Sequence, residues 1–122
     1  MNFSDLVGKT LASVDGNVGD GVMRFTCSDT SAYELFHHQD CCEGVSIEDI
    51  CGDLSDLIGT PIVRAEESES NDRINDTKEE QSESFTWTFY RIGTIKGTVV
   101  IRWYGASNGY YSESVSFRQV AA

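Results

Sequence analysis

The fold class predicted for this chain is α+β, a twisted antiparallel β-sheet with one principal helix packed on one face, and three observations predict it. From Ser84 onward the chain reads as three strands joined by turns at Gly93 to Gly97 and at Gly105 to Gly109. Near the N-terminus, three shorter stretches with strand character are separated by polar turns. Between these regions a single run, Ile47, Ile50, Leu54, Leu57 and Ile58, spaces its apolar residues as one face of a helix would.

Each element follows from local chemistry. Ser4, Asp5, Leu6 and Val7 suit one short helical turn, after which Lys9 to Val14 reads as a strand ending at Asp15 and Gly16. Gly16, Asn17, Gly19, Asp20 and Gly21 mark a hairpin connection, and Val22 to Cys27 alternates as its return strand. Ser28 to Ser31 forms a polar turn before a third strand, Ala32 to His38. Ser46-Ile47-Glu48-Asp49 has the form of a capping box and opens the expected helix, which runs to Gly59 with an interruption at Gly52. Thr60 to Ala65 returns to strand character, with Pro61 best placed on an edge. Residues 66–83 hold hardly any apolar side chain and read as a mobile acidic loop.

Strand parity then divides the C-terminal sheet. Phe85, Trp87, Phe89, Val99, Ile101, Trp103, Val115 and Phe117 form one apolar face, expected to lie against the helix. The other face carries Thr86, Thr88, Tyr90, Val100, Arg102, Tyr104, Tyr110, Ser112, Ser114, Ser116 and Arg118. It is polar, aromatic and cationic.

The chain is 122 residues long, enough for one domain (1–122), and no stretch has the apolar length of a membrane span. Its N-terminus, MNFSDLVGKT, lacks the basic start and apolar run of a secretory signal, so cytoplasm is the expected compartment. Formal charge is −11, distributed as −8 over residues 1–65, −6 over 66–83 and +3 over 84–122. Acidity of this strength disfavours binding to duplex nucleic acid, because the summed field repels a polyanion. The basic, aromatic C-terminal third is the lead to function.

On that second face, Tyr90, Tyr104 and Tyr110 could stack against a planar base while Arg102, Arg118 and Arg91 neutralise phosphate and Asn108 hydrogen-bonds. His37, His38 and Gln39 are candidates for completing such a pocket from a neighbouring strand or subunit, which allows for a homodimer. The same surface could equally be a solvated strand face or a protein interface. The run His37-His38-Gln39-Asp40-Cys41-Cys42-Glu43 gathers metal ligands and nucleophiles, but its spacing matches no zinc ribbon or finger and no oriented catalytic group accompanies it. No metal, no cofactor and no catalytic residue are therefore assigned. Cys27, Cys41, Cys42 and Cys51 read as thiols, since neighbouring Cys41 and Cys42 could pair only through a strained ring and any bridge would involve Cys27 or Cys51.

The motifs QDCCE, SIEDICGDL and WYGASNGYYSESV, with the sequence around them, resemble a family of small bacteriophage and prophage proteins, domain of unknown function 7448, over nearly the whole chain. The resemblance implies a viral origin and expression in the cytoplasm of an infected bacterium, and it carries no activity. Together with the cationic face it suggests a counter-defence binding protein that sequesters an anionic nucleotide-derived immune signal, of cyclic dinucleotide or cyclic ADP-ribose type, without cleaving it. The alternative is an acidic inhibitor of a host defence protein, which could imitate nucleic acid at a basic groove. A further alternative is a metal- or thiol-dependent enzyme using the His/Cys run.

Overall fold

A computed structural model describes residues 1–71 and 83–120. Eight strands run in chain order: β1 Leu11–Asp15, β2 Val22–Cys27, β3 Ala32–Phe36, β4 Gly44–Cys51, β5 Arg64–Ser70, β6 Ser84–Thr94, β7 Gly97–Ser107 and β8 Ser116–Val120. They form two four-stranded antiparallel sheets, one ordered β1-β2-β3-β8 and the other β4-β7-β6-β5. A single apolar cluster joins their inner faces, so the architecture is a β-sandwich. Short 3-10 turns at Phe3–Leu6 and Leu54–Leu57 are the only helical pieces among the described residues.

The expected principal helix is absent, and its spacing has another origin. β4 pairs with β7 through Ile47↔Trp103, then skips a residue before Asp49↔Arg102 and Ile50↔Ile101. That bulge converts the two-residue step of a strand into a three-residue step, so Val45, Ile47 and Ile50 all face the core. Gly52, at φ +118°, then turns the chain where a Cβ would lie 3.0 Å from the Thr98 carbonyl oxygen. Asp53 caps the following 3-10 turn by accepting from the Ser55 amide, and that turn repeats every three residues, bringing Leu54 and Leu57 to the core side. A bulge followed by a 3-10 turn thus reproduces the i, i+3, i+7 pattern of a helix.

The three C-terminal strands do not form one sheet. β6 and β7 are a hairpin with partners from Thr94↔Gly97 to Ser84↔Ser107, whereas β8 pairs with β3 in the other sheet. Because the hairpin turns on two residues, Ile95 and Lys96, odd residues of β6 face even residues of β7. The expected apolar face is therefore split. Tyr90, Ile92, Val99, Ile101 and Trp103 point into the sandwich, while Phe85, Trp87 and Phe89 share the outer face with Val100, Arg102 and Tyr104.

The chain reaches into the acidic run as regular structure. β5 pairs with β6 from Arg64↔Gly93 to Ser70↔Trp87, so Glu66 to Ser70, expected in a mobile loop, form the edge of a sheet. Ala65 is its buried residue, and the carboxylates stay in water where they discourage edge-to-edge association. Residues 72–82 of the expected loop lie outside the described ones. Pro61 makes an isolated bridge to Thr10 before β5 begins.

The chain passes between the sheets twice, through 37–43 from β3 to β4 and through 108–115 from β7 to β8. These crossings run side by side, since Phe36 pairs with Ser116 and Gly44 with Ala106. At Gly105 an added Cβ would lie 2.5 Å from the Glu113 carbonyl oxygen of the second crossing. Replacing Gly105 with Ala should therefore cost about 1–3 kcal/mol of stability by displacing that segment. Urea unfolding of the variant beside the wild type measures it.

Candidate functional site

The residues expected to form one anion site occupy five separate places. Arg102 lies on the outer face of the β4–β7 pair, where the bulge turns both Glu48 and Asp49 toward it. Its guanidinium meets the Glu48 carboxylate at 2.6 Å and Asp49 at 3.9 Å and sits 5.1 Å from the centre of the Trp87 ring. Trp87 and Tyr104 are themselves buried there, 4.6 Å apart. On the next strand, Arg91 donates to the Ser68 hydroxyl at 3.1 Å, lies 5.7 Å from the Phe89 ring and feels the charge of Glu66.

Arg118 belongs to the other sheet and hence to the opposite side of the sandwich. It donates to Glu34 at 2.9 Å, covers the Phe36 ring at 4.0 Å, and shares Glu34 with Arg24 at 3.6 Å. Tyr90, expected on the cationic face, is fully buried between the sheets. Burial, and then the charge of Glu67 opposite, hold its phenolic proton well above the ordinary range. Its hydroxyl is sealed from solvent, and Glu67 acts on it first through charge and then through hydrogen bonding.

Asn108 and Tyr110 stand at the tip of the second crossing. The Asn108 carbonyl oxygen accepts from the Tyr110 amide, Ser107 accepts from the Gly109 amide, and Gly109 supplies the left-handed conformation this turn requires. Tyr110 is exposed and meets Tyr111 edge-on at 5.0 Å. No cation of the expected set joins them.

The His/Cys run forms the most densely bonded feature, and its centre is a residue outside the expected set. Glu43 is buried, and its carboxylate accepts from the Cys41 amide at 2.9 Å, the Asp40 amide at 3.1 Å, Gln39 at 3.0 Å and His37 at 2.8 Å. His37 holds the Ser114 carbonyl with its other ring nitrogen at 2.7 Å, which ties the first crossing to the second. Glu113 completes the joint by accepting from Thr86 and Ser107. His38 is exposed. The signal that marks Glu43 in the sequence is its place after a short polar run, where exposed amides need an acceptor.

Cys41 and Cys42 are joined to each other in this loop, contrary to the expectation of thiols, while Cys27 in the core and Cys51 on the surface are free. The two neighbours share one exposed turn, whereas Cys27 is enclosed between the sheets. Among the described residues no three His, Cys, Asp or Glu side chains are grouped to hold a metal ion.

A concavity opens at the β5 edge of the second sheet. It is an open cleft of about 370 Å³ between the first 3-10 turn and β5, lined by Asn2, Phe3, Ser4, Ala65, Glu66 and Glu67. Glu66 is held by Arg64 at 3.0 Å. Partial burial raises the proton affinity of Glu67, opposed by a hydrogen bond from Tyr90 and reinforced by Glu69.

The chain belongs to the family described as domain of unknown function (DUF7448), whose model matches residues 4–117. No curated protein and no solved structure shows significant similarity to it. The motifs behind the resemblance now have positions. QDCCE is the first crossing, SIEDICGDL is the bulged strand with the start of its 3-10 turn, and WYGASNGYYSESV runs from β7 through the second crossing. Among the described residues no helix is long and apolar enough to cross a membrane.

The carboxylate of Glu43 is held down to about 2, first by the Cys41 amide, then by His37 and Asp40 against the cost of burial. A carboxyl whose proton affinity falls on folding stabilises above its unfolded range near 4.5 and loses that contribution as pH drops toward 2. The joint should accordingly open between these values in wild type, read by amide exchange of Cys41 and Asp40. Glu43→Gln should lower the unfolding midpoint by roughly 5 °C or more at neutral pH and flatten that acid dependence.

Proposed function

We propose that this protein is a non-catalytic binding protein that engages a basic protein partner through its acidic surface. The observation that carries the reading is the state of the arginines among the described residues. Arg24 and Arg118 face Glu34, Arg64 faces Glu66, Arg102 faces Glu48 and Asp49, and Arg91 is engaged by Ser68 beside Glu66. With these cations neutralised locally, the net −11 charge is left to the surplus carboxylates, and a field of that sign steers cationic partners inward. The resemblance of this chain to small phage proteins suggests the setting we infer: the cytoplasm of an infected bacterium and a host defence protein whose basic groove is occupied.

Sequestration of a nucleotide signal would need phosphate to displace Glu48 from Arg102 or Glu34 from Arg118, at sites on opposite faces. Surplus acidity needs no such rearrangement. This is why the protein-binding reading is preferred.

Affinity purification from a bacterial host lysate, with the bound species identified by mass spectrometry, supplies the partner for titration. Its affinity should fall steeply with salt, and the triple change Glu66→Gln, Glu67→Gln, Glu69→Gln should weaken it roughly tenfold. Arg102→Ala should leave it unchanged or tighter. A partner indifferent to salt and to the triple change, or a nucleotide recovered intact from the purified protein in place of a protein, would overturn the reading.

A further inference from the structure

We propose that the Cys41–Cys42 bond is a thiol-exchange site, opened and closed by low-molecular-weight thiols of the glutathione type, and that its state is transmitted through Glu43 and His37 to the second crossing.

Both residues of the pair are exposed on the turn of the first crossing, where a thiolate in solution can reach their sulfurs. Cys27, enclosed between the sheets, and Cys51, at the end of β4, stay free. Opening takes two exchanges. A thiolate attacks one sulfur of the pair, forming a mixed disulfide and releasing the other cysteine as a thiolate that takes up a proton. A second thiolate then attacks the reagent's sulfur in that mixed disulfide and releases the remaining cysteine, which is protonated in turn. The protein gains two thiols, and two molecules of the small thiol leave joined as its disulfide. The reverse sequence, driven by that small disulfide, closes the bond.

Beneath the exposed pair lies the joint that ties the two crossings. The Cys41 amide donates to the Glu43 carboxylate at 2.9 Å, and the Cys41 carbonyl accepts from Gln39 at 3.1 Å. Gln39 also donates to the Glu43 carbonyl at 2.7 Å, so the turn is clasped from both sides of the Cys41 residue. The side chains of Glu43 and His37 are 0% and 4% exposed and meet at 2.8 Å. His37 then holds the Ser114 carbonyl at 2.7 Å. One unbroken series of contacts therefore leads from the surface sulfurs to the second crossing.

A closed pair restricts the backbone of Cys41 and presents its amide to the carboxylate in one orientation, whereas two separate thiols return torsional freedom to both residues. Because the Glu43 carboxylate is sealed, a loosened amide contact is not made good by water, and the His37 contact must readjust with it. The coupling is reciprocal. If the closed bond helps Glu43 hold the amide, Glu43 helps to keep the bond closed by the same factor. The redox state of the surroundings thereby sets how firmly the two crossings are joined, and with them the exposed Tyr110 at the tip of the second.

The test equilibrates the full chain in glutathione buffers of graded ratio, traps thiols with iodoacetamide and weighs the peptide that contains Cys41 and Cys42. That peptide should pass between a form with no adduct and a form with two, without bridging to Cys27 or Cys51. NMR signals of Gln39 to Glu43 should follow the same ratio, and so should those of Ser114 and Val115. In a Cys41→Ser, Cys42→Ser variant, Ser114 and Val115 should not respond. Glu43→Gln should move the midpoint roughly threefold or more toward oxidised glutathione, since it removes the acceptor that favours the closed pair. Gln39→Ala, on an exposed side chain and so without burden on the core, should move it roughly twofold in the same direction. Failure of the pair to close at any ratio, or closure onto Cys27 or Cys51, would overturn the exchange site. Closure that leaves Ser114 unmoved and the midpoint equal in wild type and Gln39→Ala would overturn its coupling to the joint.

Discussion

Two passages of chain between the sheets, lying side by side, are the constraint on which this sandwich depends. Each crossing exposes backbone amides that no ladder can satisfy, and each must leave one sheet and enter the other without breaking the core. The Glu43 carboxylate resolves the first by accepting from two amides, Gln39 and His37, and His37 carries the connection to the second through the Ser114 carbonyl. Burying a carboxylate is costly unless donors surround it, and here they do. The registers Phe36↔Ser116 and Gly44↔Ala106 begin at this joint, so both sheets are aligned from it. Residues with the chemistry of a metal or thiol site are thereby engaged in architecture.

From that joint the β6–β7 hairpin sets the character of the surface. Its two-residue turn places Tyr90, Ile92, Val99, Ile101 and Trp103 inward and sends Phe85, Trp87, Phe89, Arg102 and Tyr104 outward. Trp87 and Phe89 are roofed by the guanidinium groups of Arg102 and Arg91, of which the first is paired with Glu48 from β4 and the second feels the charge of Glu66 from β5. Cation–π contact and ion pairing together tie the arginines down. The surplus negative charge then remains with the residues that have no such partner, and on β5 it adjoins a concavity.

Much of the local structure was legible. Val22 to Cys27 is a strand with the bounds its alternation predicts, the short turn at the N-terminus is present, and both long C-terminal strands are where their β-branched and aromatic residues place them. The errors have specific causes. A bulge and a 3-10 turn imitated helical spacing over Ile47 to Leu57. The acidic composition of Glu66 to Ser70 concealed a strand, because an edge strand can be held by its ladder and one buried alanine. A single strand parity does not survive the turns and the change of sheet before the last strand. Arg102 and Arg118 share that parity and occupy opposite sides of the molecule.

What the sequence determined by itself is the set of strands, the overall charge and the polar loops, because alternation, turn chemistry and ionisation are properties of neighbouring residues. Which residues share a face, which strands share a sheet and which charges meet were decided by tertiary structure. Face and partner depend on the number of residues in a turn and on pairings between distant segments, as when Ser116 to Val120 leaves β7 to complete the sheet of β3.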